Sequence, residues 1–151
     1  MNPLRSILLA EDNPRDVELA LAALSEHNLA NQVEVVNDGA QALDYLYCRG
    51  TFKSRTTGNP AVILLDLKMP KVDGLEVLRA IKQDEKLKSI PVVMLTSSRE
   101  ESDLVRSYQL GANAYVVKPV DFQAFLAAVK QLGVFWAMLN EPPPGVLERA
   151  R

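Results

Sequence analysis

One short apolar run constrains the fold of this chain more than any other feature. Residues 62–65 read Val-Ile-Leu-Leu, which is typical of a strand buried on both faces of a parallel sheet. The run ends at Asp66, and Pro70 soon prevents the strand from continuing. Because reactive groups of open parallel sheets lie beyond the carboxyl ends of the strands, Asp66 is a candidate functional residue. The alternative is a carboxylate that only caps the following loop, since Asp is common where strands turn.

Strand and helix patterns alternate five times along the chain. Short apolar runs predict strands at residues 6–10, 32–36, 62–66, 91–96 and 114–117. Helical spacing of apolar residues follows each run, at residues 14–27, 39–46, 74–81, 99–110 and 121–139. Asn13 and Asp121 are typical helix caps, and the polar residues 49–60 predict a surface loop. The alternation predicts an α/β fold with a doubly wound, five-stranded parallel sheet in the order 2-1-3-4-5.

Composition excludes several functional classes. The 151 residues suit one domain, and a formal charge of -2 predicts no binding to nucleic acid or to a membrane surface. No apolar run approaches the roughly 20 residues that span a bilayer, and we see no signal peptide. A single cysteine, Cys48, cannot form an internal disulfide, so we expect a cytoplasmic location.

The predicted strand order brings several chemical groups to one edge of the sheet. Glu11 and Asp12 follow the first strand, Asp66 ends the third, and Thr96 and Lys118 end the fourth and fifth. Two carboxylates about 4 Å apart repel by roughly 4 kcal/mol at an effective dielectric constant near 20. A divalent cation with a preference for oxygen ligands, such as Mg²⁺, would relieve that repulsion. The alternative is that each acid only caps its neighbouring helix or loop.

These residues resemble the receiver domains of two-component response regulators. The matching motifs are, in chain order, Glu11-Asp12, Asp66, Met69-Pro70, Asp73-Gly74, Thr96 and Lys118-Pro119. The resemblance covers about residues 5–132 and implies a flavodoxin-like receiver fold, here with an extended last helix. Because the prolines and glycine at residues 141–145 end the last helix, we expect a receiver domain over residues 1–140 and a flexible tail at residues 141–151.

The resemblance also implies a phosphorylation switch. Asp66 would take a phosphoryl group from a phosphohistidine of a sensor histidine kinase. Asp12, Asp66 and the backbone carbonyl of Lys68 would bind Mg²⁺ directly, while Glu11 would act through water. Such a protein catalyses only its own phosphorylation and dephosphorylation, so it is not expected to be an enzyme for other substrates.

Three further residues have roles that the resemblance implies. Thr96 would donate its hydroxyl to a phosphoryl oxygen, and Lys118 would pair with another. Tyr115 matches the aromatic switch of the family, which turns inward when Thr96 moves towards the phosphate.

Other functional classes fit the sequence less well. A phosphohydrolase of the haloacid-dehalogenase type needs a second Asp two residues after the nucleophile, where this chain has Lys68. A flavodoxin-like FMN carrier needs a phosphate-binding loop after the first strand, where Glu11 and Asp12 would repel a phosphate. A degenerate receiver that acts only as a docking module would have lost some of the acids, and none is lost.

The later part of the chain narrows the resemblance. The loop at residues 49–60 and the extension that begins at Phe135 and Trp136 look like single-domain regulators partnered with phytochrome-type histidine kinases. We therefore expect a stand-alone regulator that signals by protein–protein contact.

The last predicted helix also indicates a homodimer. A helix from Asp121 to Leu139 would be about 28 Å long, whereas a strand spans about 17–20 Å, so the helix should extend beyond the sheet. Its end carries Phe135, Trp136 and Leu139, and exposed apolar patches often mark interfaces. The resemblance implies pairing through the fourth helix, the fifth strand and the fifth helix. The alternative is that these residues fold back over the core of their own chain.

Overall fold

Five parallel strands form the centre of the molecule. The computed structural model describes residues 6–25, 33–55, 58–96, 106–118 and 121–132. The strands are β1 (Ile7–Ala10), β2 (Val33–Val36), β3 (Val62–Asp66), β4 (Val92–Thr96) and β5 (Ala114–Val117). The helices are α1 (Pro14–Ser25), α2 (Gly39–Tyr47), α3 (Gly74–Gln83), the described part of α4 (residues 106–109) and α5 (Phe122–Leu132). The sheet order β2-β1-β3-β4-β5 confirms the predicted doubly wound fold.

The third strand has a neighbour on each side and a helical layer on each face. Its register places Leu64 beside Leu9 of β1 and Val93 of β4. Val62 and Leu64 pack into the apolar layer under α1 and α5, while Ile63 and Leu65 pack into the layer under α2 and α3. This two-sided burial is the reason that β3 is apolar at every position before Asp66.

Side-chain caps set the helix starts near the functional edge of the sheet. Asn13 Oδ1 accepts hydrogen bonds from the backbone nitrogens of Arg15 at 2.9 Å and Asp16 at 3.2 Å, as its predicted role as a cap requires. Asp121 Oδ1 accepts from the backbone nitrogen of Ala124 at 2.8 Å, so the second predicted cap is also confirmed. Helix α1 therefore begins at a fixed point directly after β1.

The predicted surface loop at residues 49–60 is described at residues 49–55 and 58–60. It contains a 3-10 turn at Gly50–Phe52. The guanidinium of Arg55 lies 4.1 Å from the ring centroid of Tyr45, and the ring of Phe52 packs edge-on against the same ring. The loop is thus attached to α2 by aromatic contacts that composition alone does not reveal.

Several predictions concern residues outside the described part of the chain. The predicted fourth helix is described only at residues 106–109, and α5 is described as far as residue 132. Phe135, Trp136, Leu139 and the tail at residues 141–151 lie beyond it, so the homodimer interface and the boundary of the tail stay predictions. Within the described residues, no helix is long and apolar enough to cross a membrane.

Candidate functional site

A cleft of about 220 Å³ lies at the carboxyl edge of the sheet. It is lined by Glu11, Asp12, Asn13, Asp16, Asp66, Leu67, Lys68, Thr96 and Lys118. The structure therefore brings together all the residues predicted for phosphoryl transfer and metal binding. It does so because the carboxyl ends of β1, β3, β4 and β5 meet at this edge.

Three carboxylates face one another in the cleft. Glu11 is 1% exposed, and its backbone nitrogen donates to the carbonyl oxygen of Val36 at 3.0 Å, which ties it to the end of β2. Asp66, the last residue of β3, is 5% exposed, whereas Asp12 is open to solvent. One oxygen of each of these three acids lies within 4.8 Å of the other two. This spacing is the acidic cluster that the strand order predicts.

Lys118 is the cation at the centre of the cleft. Its Nζ lies 2.7 Å from Glu11 Oε1, 3.1 Å from Asp66 Oδ1 and 3.1 Å from Asp16 Oδ2. The contact with Glu11 is a short, buried ion pair. The backbone nitrogen of Lys118 donates to the carbonyl oxygen of Thr96 at 2.8 Å, which fixes the end of β5 beside β4.

The charges in the cleft shift the protonation of both central groups. Burial, followed by the negative charge of Glu11, raises the pKa of Asp66 from 3.8 to about 7, although Lys118 acts in the opposite direction. Burial alone would lower the pKa of Lys118, but its contacts with Glu11, Asp66 and Asp16 outweigh burial and raise that pKa. The cleft therefore favours the charged form of Lys118 and disfavours the charged form of Asp66.

The loop after β3 is held tightly against the strand. The backbone nitrogen of Leu67 donates to the carbonyl oxygen of Leu95 at 2.9 Å, and that of Gly74 donates to the carbonyl oxygen of Leu67 at 2.9 Å. A Cβ at residue 74 would collide with the backbone oxygen of Asp66, so only glycine fits there. Lys71 adopts a positive φ of 69°, a conformation uncommon outside glycine. The loop places Lys68 at the rim of the cleft.

The donor set of the cleft fits a divalent metal ion. Four carboxylates and two lysines line it, which leaves a formal charge of two negative units for a cation to neutralise. Glu11, Asp12 and Asp66 each offer a carboxylate oxygen as a ligand atom, and these oxygens lie within 4.8 Å of one another. Carboxylate and carbonyl oxygens are the ligands that suit Mg²⁺ and Mn²⁺. Glu11, Asp12, Asp66 and the backbone carbonyl of Lys68 are the groups that could hold the ion.

Thr96 and Tyr115 lie on neighbouring strands but in different environments. Thr96 is buried and lines the cleft. Tyr115 is 36% exposed, is not among the residues of the cleft, and packs edge-on against Tyr108 with ring centroids 5.8 Å apart. The two predicted switch residues are therefore separated, with the aromatic ring pointing outwards.

Asp16 is the residue of the cleft that the sequence analysis did not identify. It lies in the first turn of α1, and its Oδ2 accepts a hydrogen bond from Lys118 Nζ. A signal for it exists in the sequence, because α1 starts directly after β1 and its first turn must lie at the same edge as Glu11 and Asp12. Asp16 does not lie at the end of a strand, and it is 102 residues away from Lys118 in the sequence.

Comparisons with known proteins identify one family. The family model described as the response regulator receiver domain matches residues 7–130. Response regulator Rcp1 of Synechocystis sp. is 38% identical over 135 residues, which are 89% of this chain and 90% of Rcp1. The structure of the bacteriophytochrome response regulator AtBRR is 64% identical with a TM-score of 0.83, and the match covers 93% of this chain and 100% of AtBRR.

Two solved structures of similar proteins bear on the chemistry. The Mn²⁺-bound form of Rcp1 is 37% identical with a TM-score of 0.72, over 88% of this chain and 94% of Rcp1. The phosphorylated cyanobacterial phytochrome response regulator RcpA is 38% identical with a TM-score of 0.75, over 93% of this chain and 99% of RcpA. One relative has thus been observed with a divalent ion and another with a phosphoryl group.

Proposed function

This chain belongs to the receiver domains of two-component response regulators, and we propose that Asp66 is its phosphoacceptor. The observation that carries the proposal is the position of Asp66. It ends the central strand, lies within 4.8 Å of Glu11 and Asp12, and has Lys118 Nζ at 3.1 Å. A buried carboxylate in this position is suited to accept a phosphoryl group, because Lys118 and a cation held by the acids can neutralise the charge that arrives.

The transfer step requires an ionised Asp66. An oxygen of the carboxylate forms a bond to phosphorus, while the bond from phosphorus to the histidine nitrogen of the kinase breaks and the imidazole keeps the electron pair. Lys118 stabilises the negative charge on a phosphoryl oxygen, and the Thr96 hydroxyl donates a hydrogen bond to another. The proton held by Asp66 in the metal-free cleft must leave first, since the pKa of Asp66 is about 7 there.

Mg²⁺ is the proposed cofactor. Asp12, Asp66 and the backbone carbonyl of Lys68 would hold it directly, and Glu11 would hold it through water. When bound, the ion supplies positive charge that neutralises the phosphoryl oxygens and keeps Asp66 ionised. The acidic cluster and the Mn²⁺-bound form of the relative Rcp1 support this proposal.

The same geometry supports a switch. Phosphorylation would draw Thr96 towards the phosphate and leave space into which Tyr115 turns. The present exposure of Tyr115 is what an unphosphorylated receiver would have under this proposal. The protein would act by contact with other proteins and would catalyse only its own phosphorylation and dephosphorylation.

Substitution of the acceptor tests the proposal. We expect acetyl phosphate with Mg²⁺ to label the wild-type protein and the control variant Asp44→Asn, whose site lies on α2 at the surface. Asp66→Asn should not be labelled, and excess chelator should stop labelling of the wild type. A phosphohydrolase would instead release phosphate from many phosphate esters with turnover, and a docking module would not be labelled at all.

The proposed partner is a sensor histidine kinase of the phytochrome type. Receiver domains take histidine kinases as partners, AtBRR is a bacteriophytochrome response regulator, and RcpA is a phytochrome response regulator. We propose a cytoplasmic location, with no nucleic-acid or membrane partner. Phosphotransfer profiling against a panel of histidine kinases tests the partner, because a phytochrome-type kinase should label Asp66 faster than the others.

We also propose a homodimer that forms through the face of α4, β5 and α5. Tyr108 and Tyr115 are exposed side by side on this face, which supports it. Phe135, Trp136 and Leu139 would extend the interface. Sedimentation should show a dimer that weakens when Phe135 and Trp136 are both changed to Ala, and a monomer at tens of micromolar would contradict the proposal.

A further inference from the structure

Asp16 contacts the lysine of the cleft from the first turn of α1. Its Oδ2 accepts a hydrogen bond from Lys118 Nζ at 3.1 Å, and its side chain lines the cleft. The contact joins the first turn of α1 to the residue that follows β5. Sequence motifs of the phosphorylation site do not include Asp16, so its presence in the cleft needs a separate explanation.

The three partners of Lys118 do not remain equivalent during the reaction. An ammonium group has three hydrogens, and here three carboxylates lie within 3.1 Å of it. Under the proposed function, Asp66 loses its charge when it becomes an acyl phosphate, and Glu11 serves the metal ion. Asp16 has neither task, so it can keep its contact with Lys118 before, during and after transfer.

We propose that Asp16 is a positioning residue for phosphoryl transfer, because its carboxylate holds Lys118 Nζ at the place where the phosphoryl oxygen must arrive. The inference rests on the proposed function of Asp66. A lysine side chain has about 2 kcal/mol of rotamer freedom, so a fixed partner on one side reduces the disorder that the reaction must overcome.

The local structure keeps Asp16 in place for this task. Its backbone nitrogen donates to Asn13 Oδ1 at 3.2 Å, so the cap of α1 fixes the residue that carries the carboxylate. A negative side chain in the first turn of a helix is also stabilised by the helix dipole. The Asp16 carboxylate is therefore already in place before phosphoryl transfer begins.

Asp16 should also have an electrostatic effect on phosphorylation that opposes its positioning effect. The two effects act on different kinetic parameters. Its negative charge repels the incoming phosphodonor, so removal of the charge should make donor binding easier. Loss of positioning should instead lower the maximal rate. The concentration dependence of phosphorylation separates the two effects, because repulsion alters the half-saturating concentration and positioning alters the rate at saturation.

The experiment compares Asp16→Asn and Asp16→Ala with the control Glu18→Gln, using acetyl phosphate and Mg²⁺. Glu18 is an exposed acid on the same helix and does not line the cleft. We expect the saturating rate to fall about threefold in the Asn variant, which keeps an acceptor, and about tenfold in the Ala variant. The half-saturating concentration should stay equal or fall, and Glu18→Gln should match the wild type.

A second measurement tests whether Asp16 acts through Lys118. In the Lys118→Ala background, Asp16→Asn should have no further effect on the saturating rate, since the group that it positions is absent. Equal loss in both backgrounds, or an Asn variant that matches Glu18→Gln, would overturn the inference. Failure of the proposed function is a distinct result, because the wild type itself would then carry no phosphoryl group on Asp66.

Discussion

Two lysines of this receiver each bridge three oxygen atoms, at opposite edges of the sheet. At the carboxyl edge, Lys118 contacts three carboxylates. At the amino edge, Lys82 Nζ donates to the carbonyl oxygens of Lys88 at 3.2 Å and Ile90 at 3.2 Å, and to Asn113 Oδ1 at 3.3 Å. All the acceptors of Lys82 are neutral, and all the acceptors of Lys118 carry or can carry charge.

The difference in acceptors changes what each lysine can do. Burial lowers the pKa of Lys82, and none of its neutral partners reverses that effect. For Lys118 the surrounding acids outweigh burial and raise the pKa. Lys82 joins α3 to the loops that precede β4 and β5, so we interpret it as a structural crosslink. Lys118 balances the negative charge of acids that, under the proposed function, bind a metal ion and accept a phosphoryl group. We therefore interpret its site as reactive.

The largest expected effect is a pH dependence confined to the carboxyl edge. Without Mg²⁺, the pKa of Asp66 in the folded protein is about 7, above its ordinary 3.8, so the folded state holds a proton that the unfolded state has lost. The free energy of unfolding should therefore fall as pH rises from about 4 to 7, by at most about 4 kcal/mol. Asp66→Asn should remove this dependence and be the more stable protein at pH 8.

Urea unfolding in excess chelator at several pH values checks this prediction, with Asp44→Asn as the matched control. The control should keep the pH dependence of the wild type. An Asp66→Asn variant with the same slope between pH 4 and 7 would show that Asp66 does not carry the raised pKa.

Removal of Lys118 should slow phosphorylation, whereas removal of Lys82 should not. Lys118→Ala should lower the rate of phosphorylation by acetyl phosphate about 100-fold, because a preorganised positive charge at the phosphoryl oxygens is lost. Lys82→Ala should leave that rate within about twofold of the wild type, since its site lies at the other edge. Initial rates at a common donor concentration measure both effects. Comparable losses in the two variants would erase the distinction between the lysines.

The smallest effect concerns the stability of the amino edge. Lys82→Met should lower the free energy of unfolding by about 1 kcal/mol, since three acceptors lose the Lys82 donor and the one at Ile90 is partly buried. Lys86→Met, at an exposed lysine in the next loop, is the control and should change stability by less than about 0.5 kcal/mol. Chemical denaturation checks both values, and an unaffected Lys82→Met protein would mean that the crosslink adds nothing.

The sequence predicted the carboxyl edge far better than the amino edge, for a physical reason. Asp66, Glu11 and Lys118 each follow an apolar strand, and parallel strands must bring their carboxyl ends to one edge. Lys82 lies at the end of a helix, where a lysine usually indicates a solvated surface. Two of its three partners are backbone carbonyls, whose direction depends on loop conformations that no residue pattern records.

Asp16 is intermediate between these two cases. The sequence predicts the edge of the sheet at which Asp16 lies, because α1 begins directly after β1. Its contact with Lys118 could not be predicted, since that depends on the rotation of α1 about its own axis. The sequence likewise did not determine that the Tyr115 ring points outwards. A side chain on a strand at the edge of the sheet can face either the core or the solvent.

The residue that carries the phosphoryl group shows whether Asp66 is the phosphoacceptor. The wild-type protein would be treated with acetyl phosphate and Mg²⁺, digested at acidic pH, and mapped by mass spectrometry. We predict one phosphoryl group on the peptide that contains Asp66, labile to hydroxylamine as an acyl phosphate must be, and absent when a chelator is included. A phosphoryl group on any other residue, or one that hydroxylamine does not remove, would mean that Asp66 is not the phosphoacceptor.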